Sequence, residues 1–251
     1  MQALVETRAL HKRFGDIHAV RGVSLKVHRG EVLGFLGPNG AGKTTTMRMV
    51  TGFLEPTEGS AWVDGVNVAL DPLRAKTRMG YLPEGAPCYP DMRVEEFLGF
   101  IARARGYRGA ELRARVEHAI QAVNLALVRR QTFETLSKGY RRRTGIAQSL
   151  LHDPPVLVMD EPTDGLDPNQ KFEVRQLIRR LGKERAVILS THLLEEVEAV
   201  CTRAVLINRG EVVFDGTPQE MDARAPAGVR ANRLDHVFRQ LTTGDVPGAK
   251  S

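Results

Sequence analysis

Apolar and polar positions change rhythm several times along the chain, and each change marks a different kind of element. In "VSLKV", Val23, Leu25 and Val27 alternate with polar neighbours, the period of a strand with one face in a core. "EVLGFLG", Glu31 to Gly37, is apolar on both phases, as in a strand covered on both faces. A helical rhythm runs from Lys43 to about Thr51, then a turn at "EPTEGS" and short strands around "SAWVDGV" and "RMGYLP". From Pro90 to about His152 β-branched runs give way to recurring Ala, Leu, Arg and Glu, which predicts helices. "PVLVMD" is again a buried strand, with a helix after Pro168; "AVILS" leads into the helix "LLEEVEAVC", and "AVLIN" and "EVVFDG" are short strands. Strands, an all-helical insert and then a βαβαβ run predict an α/β core carrying a helical lobe. The core is assigned to residues 1–225, with the lobe at about 85–150. Within 226–251, "RLDHVFRQL" predicts one short helix and "TTGDVPGAKS" a flexible tail.

Composition narrows the picture only a little. The net charge of +6 and pI ≈ 9.6 invite an anionic partner, but the 36 basic residues are spread along the chain, so no nucleic-acid track is assigned. No apolar run approaches the ~18 residues that cross a bilayer, and "MQALVETRALHKRF" lacks the apolar centre of a secretory signal. Cys88 and Cys201 stand far apart without CxxC spacing, which points to reduced thiols and not to zinc or a disulfide.

Candidate chemistry begins at "GPNGAGKTT", which comprises Gly37, Pro38, Asn39, Gly40, Ala41, Gly42, Lys43, Thr44 and Thr45. It matches G-x-x-x-x-G-K-[ST] between a buried strand and a helix. Glycines let successive N–H groups curl inward toward a phosphate, and the helix offers its positive end to the same anion. Lys43 is suited to the β- and γ-phosphates, and the Thr44 hydroxyl to Mg²⁺. An ordinary glycine turn seldom meets four specified positions in that setting, so a nucleoside triphosphate is the expected ligand. "VLVMDEP" then ends a buried strand on two carboxylates. Asp160 suits Mg²⁺, and Glu161, directed the other way, suits polarisation of the attacking water.

These motifs resemble the ATP-binding subunit of ABC transporters, over nearly all of Leu4 to Gly216. The resemblance implies a P-loop NTPase (RecA-like) core of α/β class, with an N-terminal antiparallel β subdomain and an inserted α-helical subdomain. It places Phe14 at the aromatic that stacks on adenine, although a lone Phe is more often a core residue. Asp167 in "DGLDP" falls on the D-loop of the dimer contact, and His192 in "STHLLEEVE" on the switch histidine facing the γ-phosphate. "LSKGYRRR" resembles the family signature LSGGQ. Ser137 and Gly139 stand, whereas Lys138 and Tyr140 replace a glycine and a glutamine. Ser137 is a good N-cap whose hydroxyl can also donate, and Gly139 permits close backbone approach. Lys138 adds a positive charge that does not oppose a triphosphate. Arg141–Arg143 read as the exposed face of the helix that Ser137 opens. The family's Q-loop glutamine falls on Glu84, a hard oxygen donor and a candidate third Mg²⁺ ligand beside Thr44 and Asp160; a solvated loop acid is the competing reading.

The motif set is most similar to the ABC-2-type export group, and within it to a gliding-motility-associated subgroup. That resemblance implies an ATPase with ATP and Mg²⁺ as cofactors and a second copy, or a homologous subunit, as partner. A separate transmembrane permease would be met through the surface from Gly85 to about Leu150, with the docking groove near "PCYPDMRVEEFLGF". The implied location is the cytoplasmic side of the membrane. Two rivals keep the ATPase fold. A nucleic-acid or ribosome-directed ATPase usually carries tandem heads, coiled coils or zinc inserts, which this sequence does not display. A non-hydrolysing regulator is disfavoured by the presence of Lys43, Asp160, Glu161 and His192 together.

Overall fold

The computed structural model describes residues 2–85, 89–229 and 231–243. In chain order the elements are β1 (Val5–Phe14), β2 (Ile17–Val27), β3 (Val32–Leu36), α1 (Lys43–Val50), β4 (Glu58–Val63), β5 (Val66–Asn67), α2 (Pro72–Thr77) and β6 (Met79–Leu82). The helices α3 (Val94–Ala104), α4 (Gly109–Ala122) and α5 (Lys138–Leu150) come next. Then come β7 (Val156–Asp160), α6 (Pro168–Gly182), β8 (Ala186–Thr191), α7 (Leu194–Val200), β9 (Arg203–Asn208), β10 (Glu211–Gly216), α8 (Pro218–Ala223) and α9 (Arg233–Thr243).

Among the described residues these strands form two sheets. One is antiparallel, in the order β2-β1-β4-β5; the other is six-stranded, in the order β10-β9-β3-β8-β7-β6. In the larger sheet β9, β3, β8, β7 and β6 run parallel, and only β10 is antiparallel to its neighbour. The continuous apolar runs have a plain cause: β3, β7 and β8 are buried along their whole length. Alternation then assigns their side chains to two faces. Val156 and Val158 join Ile188, Leu33, Phe35 and Met47 beneath α1 and the antiparallel sheet. Leu157 and Met159 join Val187, Leu189 and the helical side chains Phe97, Ile120, Phe133, Ile146 and Leu150. The helical lobe thus shares one apolar layer with the sheet.

Several elements differ from the sequence expectations. β1 escapes notice because a bulge interrupts its alternation: Ala9 takes φ 43, and pairing to β2 shifts between Thr7 and Leu10. Gly59 on β4 fits that bulge closely, since a Cβ there would lie 2.1 Å from the Ala9 carbonyl oxygen. The short helices α2 and α8 were also unanticipated; Asp71 and Thr217 cap them by accepting from Arg74 and Glu220 amides. α9 extends through Thr242 and Thr243, two residues of the expected tail, and buries Leu234 and Val237 against Leu206, Phe214 and Met221. The rest of that tail, and Cys88, lie outside the described residues. Cys201 is unpaired, and burial pushes its thiol well up, which keeps it protonated.

Candidate active site

The loop after β3 is shaped by two close approaches and one bend. A Cβ at Gly37 would stand 2.4 Å from the Ile207 carbonyl oxygen on β9; one at Gly42, with φ +107, would stand 2.6 Å from that of Ala19. Gly40 has open space around it but takes φ +79, the left-handed region that favours glycine. The loop therefore wraps the head of α1, whose first residue is Lys43. The Lys43 ammonium donates to the Gly37 carbonyl at 2.6 Å and the Pro38 carbonyl at 3.1 Å, drawing the loop around itself. At 7% exposure, burial pushes the ionisation of Lys43 down, while Glu161, Asp160 and Glu84 act in the opposite direction. The outcome is a charge held under low solvation, where its field on an anion is strongest.

Opposite this loop, β7 ends at Asp160, which is 2% exposed and accepts a hydrogen bond from the Ser190 hydroxyl on β8. The next residue leaves the strand sharply. Glu161 takes φ 48, and its amide donates to both the carbonyl and the hydroxyl oxygen of Ser190, each at 3.2 Å. A non-glycine residue in that region is strained and needs neighbours to hold it. Both Glu161 carboxylate oxygens lie 3.1 Å from His192 Nδ1, just beyond β8. Asn39, Gly40, Lys43, Thr44, Thr45, Glu84 and Glu161 line one cavity of about 200 Å³, with Ala19 and Gly42. The structure thus gathers the loop, Glu84 and Glu161, with His192 in contact through Glu161; Asp160, at the end of β7 just before Glu161, does not line the cavity. Phe14 is not among the residues lining that cavity. Its ring is 49% exposed, with the Lys12 ammonium 5.3 Å from its centroid.

Thr44, Asp160 and Glu84 offer a hydroxyl and two carboxylates, a hard oxygen set suited to Mg²⁺. Among the described residues no three His, Cys, Asp or Glu side chains converge as a metal cage.

The remaining sequence candidates sit on a second surface. Ser137 caps α5 by accepting from the Tyr140 amide at 3.4 Å, which leaves its own hydroxyl hydrogen free to donate outward. Asp167 caps α6, accepting from the Gln170 amide at 2.9 Å. Ser137, Gly139, Asp167 and Gln170 line a concavity of about 410 Å³, and the described residues lining it include none from the phosphate-loop cavity. At Gly139 the near neighbour is the Gln170 side chain, 2.8 Å from a Cβ built there. Lys138 crosses the loop before α6, its ammonium 3.7 Å from where a Cβ on Gly165 would stand.

The arginine run corrects its sequence reading. Arg141 is exposed, but Arg143 pairs with Glu173 and Arg142 is buried. Three consecutive helical positions cannot share one face, so a run read as a solvated stripe had to send at least one member inward. Ser190 and Arg142 are the residues of this region that sequence reasoning missed; neither carries a local pattern that distinguishes it.

A glycine-lined loop joining a buried parallel strand to a helix, faced by an acidic end on a nearby strand, defines a P-loop nucleoside triphosphatase. Residues 20–164 match the family model described as ABC transporter. The chain is 38% identical to the ABC transporter ATP-binding protein NatA of Bacillus subtilis, over 90% of this chain and 93% of that one. It is 37% identical to the Nod factor export ATP-binding protein I of Ralstonia nicotianae, over 87% and 68% respectively. A solved ATP-binding subunit of an ABC transporter superposes with a TM-score of 0.82 at 29% identity, covering 95% of this chain and 99% of the other. The chain belongs to the ABC transporter family as an ATP-binding subunit, and ATP hydrolysis is its activity. These relatives do not single out the gliding-motility subgroup.

The loop geometry yields a graded expectation. Gly42→Ala combines positive φ with a backbone collision and should destabilise by about 1–3 kcal/mol in urea unfolding. Gly40→Ala, with strain but open space, should cost less; equal losses would show that close approach is not what selects glycine at position 42.

Proposed function

We propose that this chain is the ATP-driven subunit of an export system, pairing head to tail with a second copy around two ATP molecules and driving a separate permease. One observation carries this reading: the phosphate-loop cavity and the concavity beside the α5 cap occur on one chain but share none of their described lining residues. Neither surface encloses a triphosphate, so the ligand of one is completed by the other surface of a neighbour. The name of the Nod factor export ATP-binding protein I supports an exporter, and the motif resemblance supports the ABC-2-type group.

In each site the amides of Gly37–Thr45 and the Lys43 ammonium hold the β- and γ-phosphates. Thr44 and Asp160 would hold Mg²⁺, with Glu84 as a further oxygen donor, and the ion would supply charge neutralisation for the phosphates. Glu161 accepts a proton from the attacking water as general base. His192 donates to Glu161, fixing its orientation, and its exposed edge faces the γ-phosphate. From the partner, Ser137 donates its hydroxyl hydrogen, Gly139 presents its amide, and Lys138 adds charge. Phe14 stacks on adenine and Asp167 lies at the contact between copies. Loss of the γ-phosphate removes the bridge, and the pair opens.

No helix among the described residues is long and apolar enough to cross a membrane; in this reading the stroke passes to a separate permease. A cleft between core and lobe, about 560 Å³, is lined by Arg48, Phe53, Lys76, Tyr81, Arg105 and Gln148 among others. Its cationic rim and aromatic walls suit an acidic, aromatic-bearing cytoplasmic segment of the permease. That would hold the chain at the cytoplasmic face of the membrane. Of the expected segment "PCYPDMRVEEFLGF", Pro87 and Cys88 lie outside the described residues, and Tyr89 and Phe100 form an exposed edge-on pair 5.8 Å apart.

Glu161→Gln should retain ATP binding, lose hydrolysis by about 10²–10⁴-fold and accumulate as an ATP-dependent dimer in size-exclusion chromatography. Hydrolysis at the parental rate would remove the general-base assignment. Glu84→Gln should weaken the Mg²⁺ dependence of ATP affinity, because the native carboxylate repels the γ-phosphate when no metal lies between them. Titrations with and without Mg²⁺ decide it, and an unaltered dependence would return Glu84 to the status of a solvated loop acid.

A further inference from the structure

Arg142 lies on α5, one turn beyond the Ser137 cap, and is 7% exposed. Its Nε donates to the Pro162 carbonyl at 3.0 Å. Nη1 donates to Glu84 at 2.6 Å and Pro83 at 3.3 Å, and Nη2 to Asp160 at 3.1 Å and to Glu161. Among the described residues every one of these acceptors is a main-chain carbonyl. A buried arginine ordinarily takes a carboxylate partner; this one gathers the carbonyls of two turns, one after β6 and one after β7.

That arrangement has a geometric requirement. Successive carbonyls of an extended strand point to opposite sides, so those of Asp160, Glu161 and Pro162 meet at one point only if the chain turns between them. The left-handed φ of 48 at Glu161 makes that turn. Several carbonyl dipoles converging on one spot repel each other unless a cation sits there, and the guanidinium supplies it. The same group holds the Glu84 carbonyl, so one side chain sets how far apart Glu84 and Glu161 stand in the cavity they both line.

We propose that Arg142 is a positioning residue for hydrolysis, clamping the main chain at Glu84 and at Asp160–Pro162 so that the Glu161 carboxylate is held toward His192 and the phosphate loop. This rests on the reading of Glu161 as general base and extends it. Because Arg142 rides on the helix that Ser137 opens, a shift of α5 against a partner's nucleotide is delivered to the chain's own Glu161. The two ATP sites of a pair are thereby linked through one side chain.

The test uses the full chain with Arg142→Met, which keeps length and loses all donors, and Arg142→Lys, which keeps the charge with fewer donors. For Arg142→Met, kcat should fall at least tenfold while KM for ATP stays within twofold, with Arg142→Lys intermediate. Hydrogen exchange at the Asp164 amide, which donates to the Glu161 carbonyl, should quicken at least tenfold while Ile146 and Ala147 keep their protection. The exchange arm needs no turnover, so it answers even where hydrolysis requires the permease. Parental kcat, or parental exchange at Asp164, in Arg142→Met would overturn the proposal. So would a loss of kcat matched by equal loss of ATP affinity and faster exchange along all of α5, which is simple unfolding. Glu161→Gln run alongside separates the two readings. If it hydrolyses ATP normally, the base assignment fails; if it is inactive while Arg142→Met is unimpaired, only the clamp fails.

Discussion

A loop of backbone amides can grip a triphosphate only where its tightest bends are free of side chains, and the architecture of this chain serves that requirement. β3 ends in the middle of a parallel sheet, between β8 and β9, so the loop leaves from a point that cannot drift. The carbonyls of Ile207 and Ala19 press on Gly37 and Gly42. Two different layers, the parallel sheet and the antiparallel one, therefore define the curl together. Lys43 supplies the attraction that draws the curl inward, and the burial that weakens its ionisation is what concentrates its field.

The acidic side of the site obeys a related constraint. Asp160 continues the strand and is buried, whereas Glu161 must leave it to face the loop. The backbone accepts the left-handed turn because Ser190 holds the amide side and Arg142 the carbonyl side. Backbone strain at Glu161 is thus balanced by contacts from two elements, β8 and α5. Packing makes the connection stiff: the lobe side chains share their apolar layer with Leu157 and Met159 of β7. If α5 presents its N-terminus to a neighbouring copy, as proposed, the same helix reaches its own Glu161 through Arg142.

Legibility in the sequence depended on how tightly each position is constrained by its own residue type. The phosphate loop was readable because glycine, lysine and threonine at that fixed spacing suit little besides a phosphate cradle. The buried strands were readable because a sheet covered on both faces demands apolar residues on both phases. β1 was not, because the bulge at Ala9 reverses which residues face inward midway along it. Arg142 was not, because three adjacent arginines look alike until the helix phase is known. Ser137 and Asp167 were singled out by resemblance, and their local chemistry, as caps of α5 and α6, does not by itself disclose a role in a second surface. Phe14 shows the converse: a half-exposed ring at a hairpin end, given a role by resemblance, that the described cavity does not include.

The central claim is that each triphosphate is held between the glycine loop of one copy and the α5 cap of another. A crystal structure of the Mg²⁺–ATP complex measures this directly. The account predicts the Ser137 hydroxyl and Gly139 amide of one copy at about 3 Å from γ-phosphate oxygens gripped by Gly37–Thr45 of its partner. A complex in which ATP sits on the loop while the α5 cap faces solvent would contradict it.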